Sequence, residues 1–113
     1  MKGIGLMASF IFVMFFASPI QAEELPVFNL VLENQQFTPA DIVVPAKQKF
    51  KVVVQNNDAT EEEFDSSDLN REKVIAGKGK EAMFFGPLKP GRYEFFGELH
   101  ADTAHGVITV KAL

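Results

Sequence analysis

The stretch Tyr93-Glu94-Phe95-Phe96-Gly97-Glu98-Leu99-His100-Ala101-Asp102-Thr103-Ala104-His105-Gly106-Val107-Ile108-Thr109-Val110 decides the reading of this chain. Two strand-like runs, Tyr93 to Phe96 and Val107 to Val110, are joined by a polar loop that holds both histidines of the sequence. Imidazoles and carboxylates gathered between two rigid strands are the materials of a site for copper, iron, zinc or manganese. The chain has no cysteine, so such a site is made from nitrogen and oxygen alone.

Outward from that loop, the rest of the chain reads as strands. Phe28, Leu30 and Leu32 alternate with Asn29 and Glu33, Ile42 to Val44 is a β-branched run closed by Pro45, and Phe50, Val52 and Val54 alternate with Lys51 and Gln55. Lys73-Val74-Ile75 is a weak strand that Ala76-Gly77-Lys78-Gly79-Lys80 turns toward Ala82 to Phe85, and Gly86-Pro87-Leu88-Lys89-Pro90-Gly91 is a further turn. About seven short strands with a turn signal every eight to twelve residues predict an all-β Greek-key sandwich or barrel. Phe28, Phe37, Phe50, Phe64, Tyr93 and Phe95 are expected in its core, as is Met83. Tyr93, after Pro90-Gly91, is placed to bond its hydroxyl back to the main chain as a tyrosine corner. Phe84-Phe85 and Phe95-Phe96 are adjacent pairs, so one member of each faces away from the core; Phe85 and Phe96 facing solvent together would form a docking patch.

The first residues have the pattern of an export signal: Lys2, an apolar run from Ile4 to Phe16, and Ala17-Ser18-Pro19-Ile20-Gln21-Ala22 ending in a small residue. Residues 1–22 are therefore expected to be removed, leaving a single domain over 23–113 that works in the periplasm or outside the cell. A domain of that size buries about 65% of the surface of its unfolded chain. Exported without cysteines, it must be held by packing rather than by disulfides. Loss of Lys2 takes the net charge one unit below the −4 of the whole chain, which argues against nucleic acid as a partner and agrees with cations.

One segment breaks the strand pattern. Asn56 to Arg71 carries Glu61, Glu62, Glu63, Asp65 and Asp68 with few apolar residues besides Phe64 and Leu69. Thr60-x-x-Glu63 can be a capping box opening one helical turn, with Glu61 and Glu62 in a solvated loop. Alternatively, Phe64 plugs into the core and fixes the direction of Glu63, which makes Glu63 a site candidate.

The order Phe37-Thr38-Pro39, Ile42-Val43-Val44, a strand ending at Asn56-Asn57-Asp58, Pro90-Gly91-Arg92-Tyr93-Glu94-Phe95, a ligand loop and Gly106-Val107-Ile108-Thr109-Val110 resembles the cupredoxin family over essentially all of 23–113. In its blue copper members the last loop resembles Cys-x-x-His-x-x-x-x-Met, with a further histidine after the mid-chain strand. The resemblance puts Gly97 at the cysteine position, His100 at the histidine, His105 at the methionine and Glu63 nearest the upstream histidine. Without thiolate, the reason for a blue electron-transfer site disappears, and the remaining donors favour Cu(II) or iron over Cu(I). Glu62-Glu63-Phe64-Asp65, Asp68-Leu69-Asn70-Arg71-Glu72-Lys73-Val74-Ile75 and Phe96-Gly97-Glu98-Leu99-His100-Ala101-Asp102 are further similar to EfeO-type periplasmic cupredoxin domains of bacterial iron uptake. That resemblance implies binding of iron or copper beside a periplasmic partner protein and an iron permease. Some EfeO-type domains carry cysteines at the positions of Phe37 and Gly97; what carries over is Glu63 and, less directly, Glu72.

The expected metal donors are thus Glu63, His100, His105, Glu98, Asp102 and Glu72. Glu98 and Asp102 flank His100 at even spacing, and on an extended segment all three share a face. No nucleophilic cysteine, serine-histidine-acid order or phosphate-binding glycine loop marks an enzyme; ferrous iron oxidation is the one activity with a physical case, ranked below metal binding or delivery. The competing class is a cupredoxin fold that has lost its metal and serves as an interaction module.

Overall fold

The computed structural model describes residues 3, 11–14 and 24–112; the expected export signal and its cleavage point lie almost wholly outside the described residues. Among the described residues, nine strands and one short 3-10 turn follow in order: β1 (Val27–Glu33), β2 (Gln36–Thr38), β3 (Asp41–Pro45), β4 (Phe50–Asn56), β5 (Glu62–Ser66), β6 (Arg71–Ile75), β7 (Lys80–Phe85), β8 (Gly91–Gly97), the turn Glu98–His100, and β9 (His105–Lys111). They form a four-stranded sheet ordered β2-β1-β4-β7 and a five-stranded sheet ordered β3-β9-β8-β5-β6. β1 runs parallel to β4 and β3 parallel to β9, while the other pairs are antiparallel. This is the sandwich that the alternation predicts, with two strands more than the sequence suggested.

The inward faces follow the period of two. Leu30 and Leu32 from β1, Val52 and Val54 from β4, Phe64 from β5, Phe95 from β8 and Ile108 and Val110 from β9 are buried, with Met83 among them. Phe64 stacks on Phe95 at 5.0 Å between centroids, and Phe37 meets Phe95 edge-on at 5.2 Å. Such aromatic pairs add on the order of 1 kcal/mol each to their area burial. Phe28 and Tyr93 are only partly buried and pack on the rim of this core. Tyr93 donates its hydroxyl to the Lys89 carbonyl at 2.8 Å, the expected corner.

Three sequence expectations change. Thr60 to Glu63 opens no helical turn, because Glu62 to Ser66 is strand β5, bonded to β6 and β8. Phe85 points inward and is buried, so it forms no solvent-facing patch with Phe96; the outward member of its pair is Phe84, on the other sheet from Phe96. Glu98 to His100 is wound into a 3-10 turn rather than extended, so Glu98, His100 and Asp102 do not share a face.

A buried polar joint fixes where β5 begins. Asn56 is fully buried at the end of β4; its amide donates to the carbonyls of Thr60, Ile75 and Ala76, and its carbonyl accepts the Asp58 N–H at 3.0 Å. Asp58 in turn accepts the N–H groups of Asn34 and Gln35 in the β1–β2 turn. At the other end of β5, the Ser66 hydroxyl donates to the Glu94 carbonyl at 2.6 Å, tying β5 to β8. The acidic strand is therefore anchored at both ends.

Candidate metal centre

β5 is the strand on which the site is built. Phe64 faces the core, so its neighbours at a spacing of two, Glu62 and Ser66, share that inward face, while Glu63 and Asp65 face outward. Phe64 is the expected plug, and it fixes the odd-numbered acids to the opposite face and carries Glu62 inside with it. Glu62 and Asp65 are the two residues that sequence reasoning passed over. The alternation through Phe64 was the signal that could have found them.

Glu62 is completely buried next to the loop that carries His100. Its Oε1 accepts the Leu99 N–H at 2.8 Å and the Glu63 N–H at 3.0 Å, and its Oε2 lies 2.5 Å from His100 Nδ1. With the carboxylate ionised and the imidazole neutral, Nδ1 carries the hydrogen of this bond and Nε2 keeps a free lone pair. The imidazole is about one quarter exposed, in contrast to its buried partner. Gly97 explains how a carboxylate fits here: a Cβ at that position would lie 2.6 Å from Glu62 Cδ and 2.8 Å from Oε2. The space into which any side chain at position 97 would project is filled by Glu62.

On the outward face, Glu63 and Asp65 meet Glu72, which stands opposite Asp65 on β6. One carboxylate oxygen from each of the three lies within 4.8 Å of the others. Glu98, at the start of the 3-10 turn, lies against both Glu63 and Asp65. Loss of solvation, then the Glu98 and Glu63 carboxyls beside it, push Asp65 from an ordinary 3.8 up to about 7. Glu63 is raised as well, again by loss of solvation first and by Glu98 next.

The six expected donors are thus divided. Glu63, Glu72 and Glu98 come together with Asp65 outside the sheet, whereas His100 is held from the inside by Glu62. His105 is exposed and pairs with Phe96, which itself pairs with Asp65, so His105 lies two strands away from the carboxylates. Asp102 stands exposed in the turn after the 3-10 segment.

Two packed sheets with paired parallel strands at β1–β4 and β3–β9, and a histidine loop between the last two strands, define a cupredoxin. The chain belongs to the cupredoxin-like domain family, whose profile matches residues 6–110. An uncharacterized protein of Rickettsia prowazekii (strain Madrid E) is 41% identical over 83 residues, which are 74% of this chain and 66% of that protein. Among solved structures, auracyanin A, a blue copper protein from Chloroflexus aurantiacus, superposes with a TM-score of 0.67 at 13% identity, covering 78% of this chain and all of that one. The metal binding domain of the Cu(I) exporting P-type ATPase CopA of Streptococcus pneumoniae D39 gives 0.64 at 17% identity, over 75% and 84% of the two chains. A purple cupredoxin from Nitrosopumilus maritimus gives 0.59 at 16% identity, over 74% and 98%. At such identities these likenesses establish the fold. This chain supplies no cysteine, so it has no thiolate with which to build a blue copper site.

Proposed function

We propose that this protein is an exported metal-binding cupredoxin that takes Cu(II) or iron through hard nitrogen and oxygen donors and serves a bacterial iron-uptake system by delivering iron or assisting its oxidation. The observation that carries the reading is the Glu62–His100 pair beside Gly97. A carboxylate that holds Nδ1 of a histidine fixes its tautomer and aims Nε2 at a metal, the arrangement that surrounds metal-bound histidines in general. His100 is then the nitrogen donor, Glu62 positions it, and water or a ligand brought by the metal completes the sphere. Copper-binding relatives of the fold and the resemblance of residues 62–75 and 96–102 to EfeO-type domains support the choice of metals, the periplasmic setting and the partner.

Calorimetric titration with Cu(II) and with Fe(III)-citrate tests the proposal. Binding should be lost in His100→Ala and weakened in Glu62→Gln. The interaction module without metal predicts no heat that depends on either residue.

A further inference from the structure

We propose that the end of the sandwich opposite the His100 loop docks on an anionic membrane surface, through lysines gathered around the exposed ring of Phe84. This surface uses other side chains than the metal position and does not depend on that reading.

Four segments far apart in sequence converge at this end. The Lys51 N–H donates to the Pro26 carbonyl at 2.9 Å, the Ala46 N–H to the Lys111 carbonyl at 2.8 Å and the Lys47 N–H to the Leu88 carbonyl at 3.1 Å. Phe50 and Lys51 stand opposite Phe85 and Phe84, and Gly91 stands opposite Val110. The segments so joined, 24–27, 45–51, 84–92 and 110–112, carry Lys47, Lys49, Lys51, Lys89, Arg92 and Lys111, six of the eleven basic residues of a chain whose net charge is −4. Their one acidic residue is Glu24, which follows Glu23 in the sequence. Asp68 lies higher, bonded to the N–H of Glu94, three residues along β8 from Gly91. Lys51 is half-buried and the other five are exposed. Among the described residues, the ion pairs within 4.0 Å are Lys73 with Glu81 and His100 with Glu62, so none of the six has a carboxylate partner there.

Three features favour a lipid surface over an acidic protein. The first is the kind of charge. Five of the six groups are lysines; protein interfaces are depleted in lysine and enriched in the planar arginine fork, whereas each lysine near an anionic bilayer raises binding roughly fivefold without a fixed geometry. The second is the aromatic ring among them. Phe84 is 47% exposed on the outward face of β7, with the Nζ atoms of Lys49 and Lys51 at 5.9 Å and 5.8 Å from its centroid. An apolar ring flanked by cations suits the headgroup boundary, where aromatic and basic side chains both settle. The third is the course of the chain. Ten residues separate the apolar run ending at Phe16 from Val27, so while that run is held in a membrane this end lies within about 40 Å of it. Docking in this way also orients the domain: β8 rises six residue steps from Gly91 to Gly97, about 20 Å, and presents the His100 loop away from the bilayer.

Co-sedimentation with lipid vesicles tests this on residues 23–113, which contain all nine strands and every residue of the core cluster. The protein should bind mixed phosphatidylglycerol–phosphatidylcholine vesicles at least about tenfold more tightly than phosphatidylcholine alone, and added salt should remove the excess. Lys47→Gln/Lys49→Gln/Lys89→Gln should bind the mixed vesicles on the order of a hundredfold more weakly. Lys73→Gln/Lys78→Gln/Lys80→Gln makes the same change in net charge on and after β6, toward the other end, and should lose no more than about threefold. Both triple variants should keep the melting temperature of wild type. The chain has no tryptophan, so Phe84→Trp reports its own surroundings, and its emission should shift to the blue on the mixed vesicles. No preference for anionic vesicles, equal losses in the two triple variants, a lysine variant that melts well below wild type, or tryptophan emission unchanged in the bound protein would overturn the proposal. So would binding of soluble polyglutamate without binding of vesicles, which would assign this end to an acidic protein.

Discussion

A single methyl group at position 97 should disrupt the interior of this protein. Gly97 has φ of −91° and ψ of 114°, a conformation open to any residue, so Gly97→Ala creates no backbone strain. Its Cβ would instead sit 2.6 Å from Glu62 Cδ and 2.9 Å from Ala104 Cβ. Ordinary carbon contacts begin near 3.5 Å, so the carboxylate must retreat by about 1 Å. That displacement stretches its hydrogen bonds to Leu99 N–H, Glu63 N–H and His100 Nδ1. Bonds to a charged group contribute about 1.5–3 kcal/mol each. Loss of one of the three, or its equivalent in weakening, together with ordinary overpacking, predicts a destabilisation of roughly 2–4 kcal/mol. For a domain of this size that is a fall in melting temperature of order 10–20 °C, measurable by circular dichroism. The decisive comparison is a double-mutant cycle with Glu62→Ala. If the methyl acts through Glu62, Gly97→Ala should cost at least about 1 kcal/mol less in the Glu62→Ala background. Equal costs in both backgrounds, or a negligible effect in the wild type, would refute the close packing of these two residues.

Stability should fall as pH rises through the range in which the outer carboxylates ionise. Asp65 is at about 7 in the folded chain against an ordinary 3.8, so its contribution is fully present below the lower value and lost as pH passes the upper one. Melting temperature measured with chelator present should therefore decline between about pH 4 and pH 7, and Asp65→Asn should flatten that decline. Asn56→Ala strips partners from three carbonyls and the Asp58 N–H in a fully buried joint, and should cost about 3 kcal/mol by chemical denaturation. Tyr93→Phe removes one bond to the Lys89 carbonyl at the surface and should cost no more than about 1 kcal/mol.

Much of this architecture could be read before any coordinates, for a definite reason. β1, β4 and β8 each have one face on the core, so the period of two in Phe28-Leu30-Leu32, Phe50-Val52-Val54 and Tyr93-Phe95 reports directly which side is buried. β5 hid because four of its five residues are polar, and no hydrophobicity pattern marks a strand whose inward face is Glu62, Phe64 and Ser66. Only the tertiary joint at Asn56 and the pairing with β6 and β8 show that it is there. The histidine loop was legible as a site, but not its internal sorting. An even spacing of Glu98, His100 and Asp102 implied one face, and the 3-10 turn sends Glu98 out and His100 in. Phe84 and Phe85 likewise could not be told apart until the register of β7 against β4 paired Phe85 with the buried Phe50.

Pulsed EPR of the protein loaded with one equivalent of Cu(II) tests the main conclusion most directly. The account predicts coupling to the remote nitrogen of a single coordinated imidazole, present in wild type and in His105→Ala and absent in His100→Ala. A spectrum with no imidazole coupling, or one that persists unchanged without His100, would contradict it.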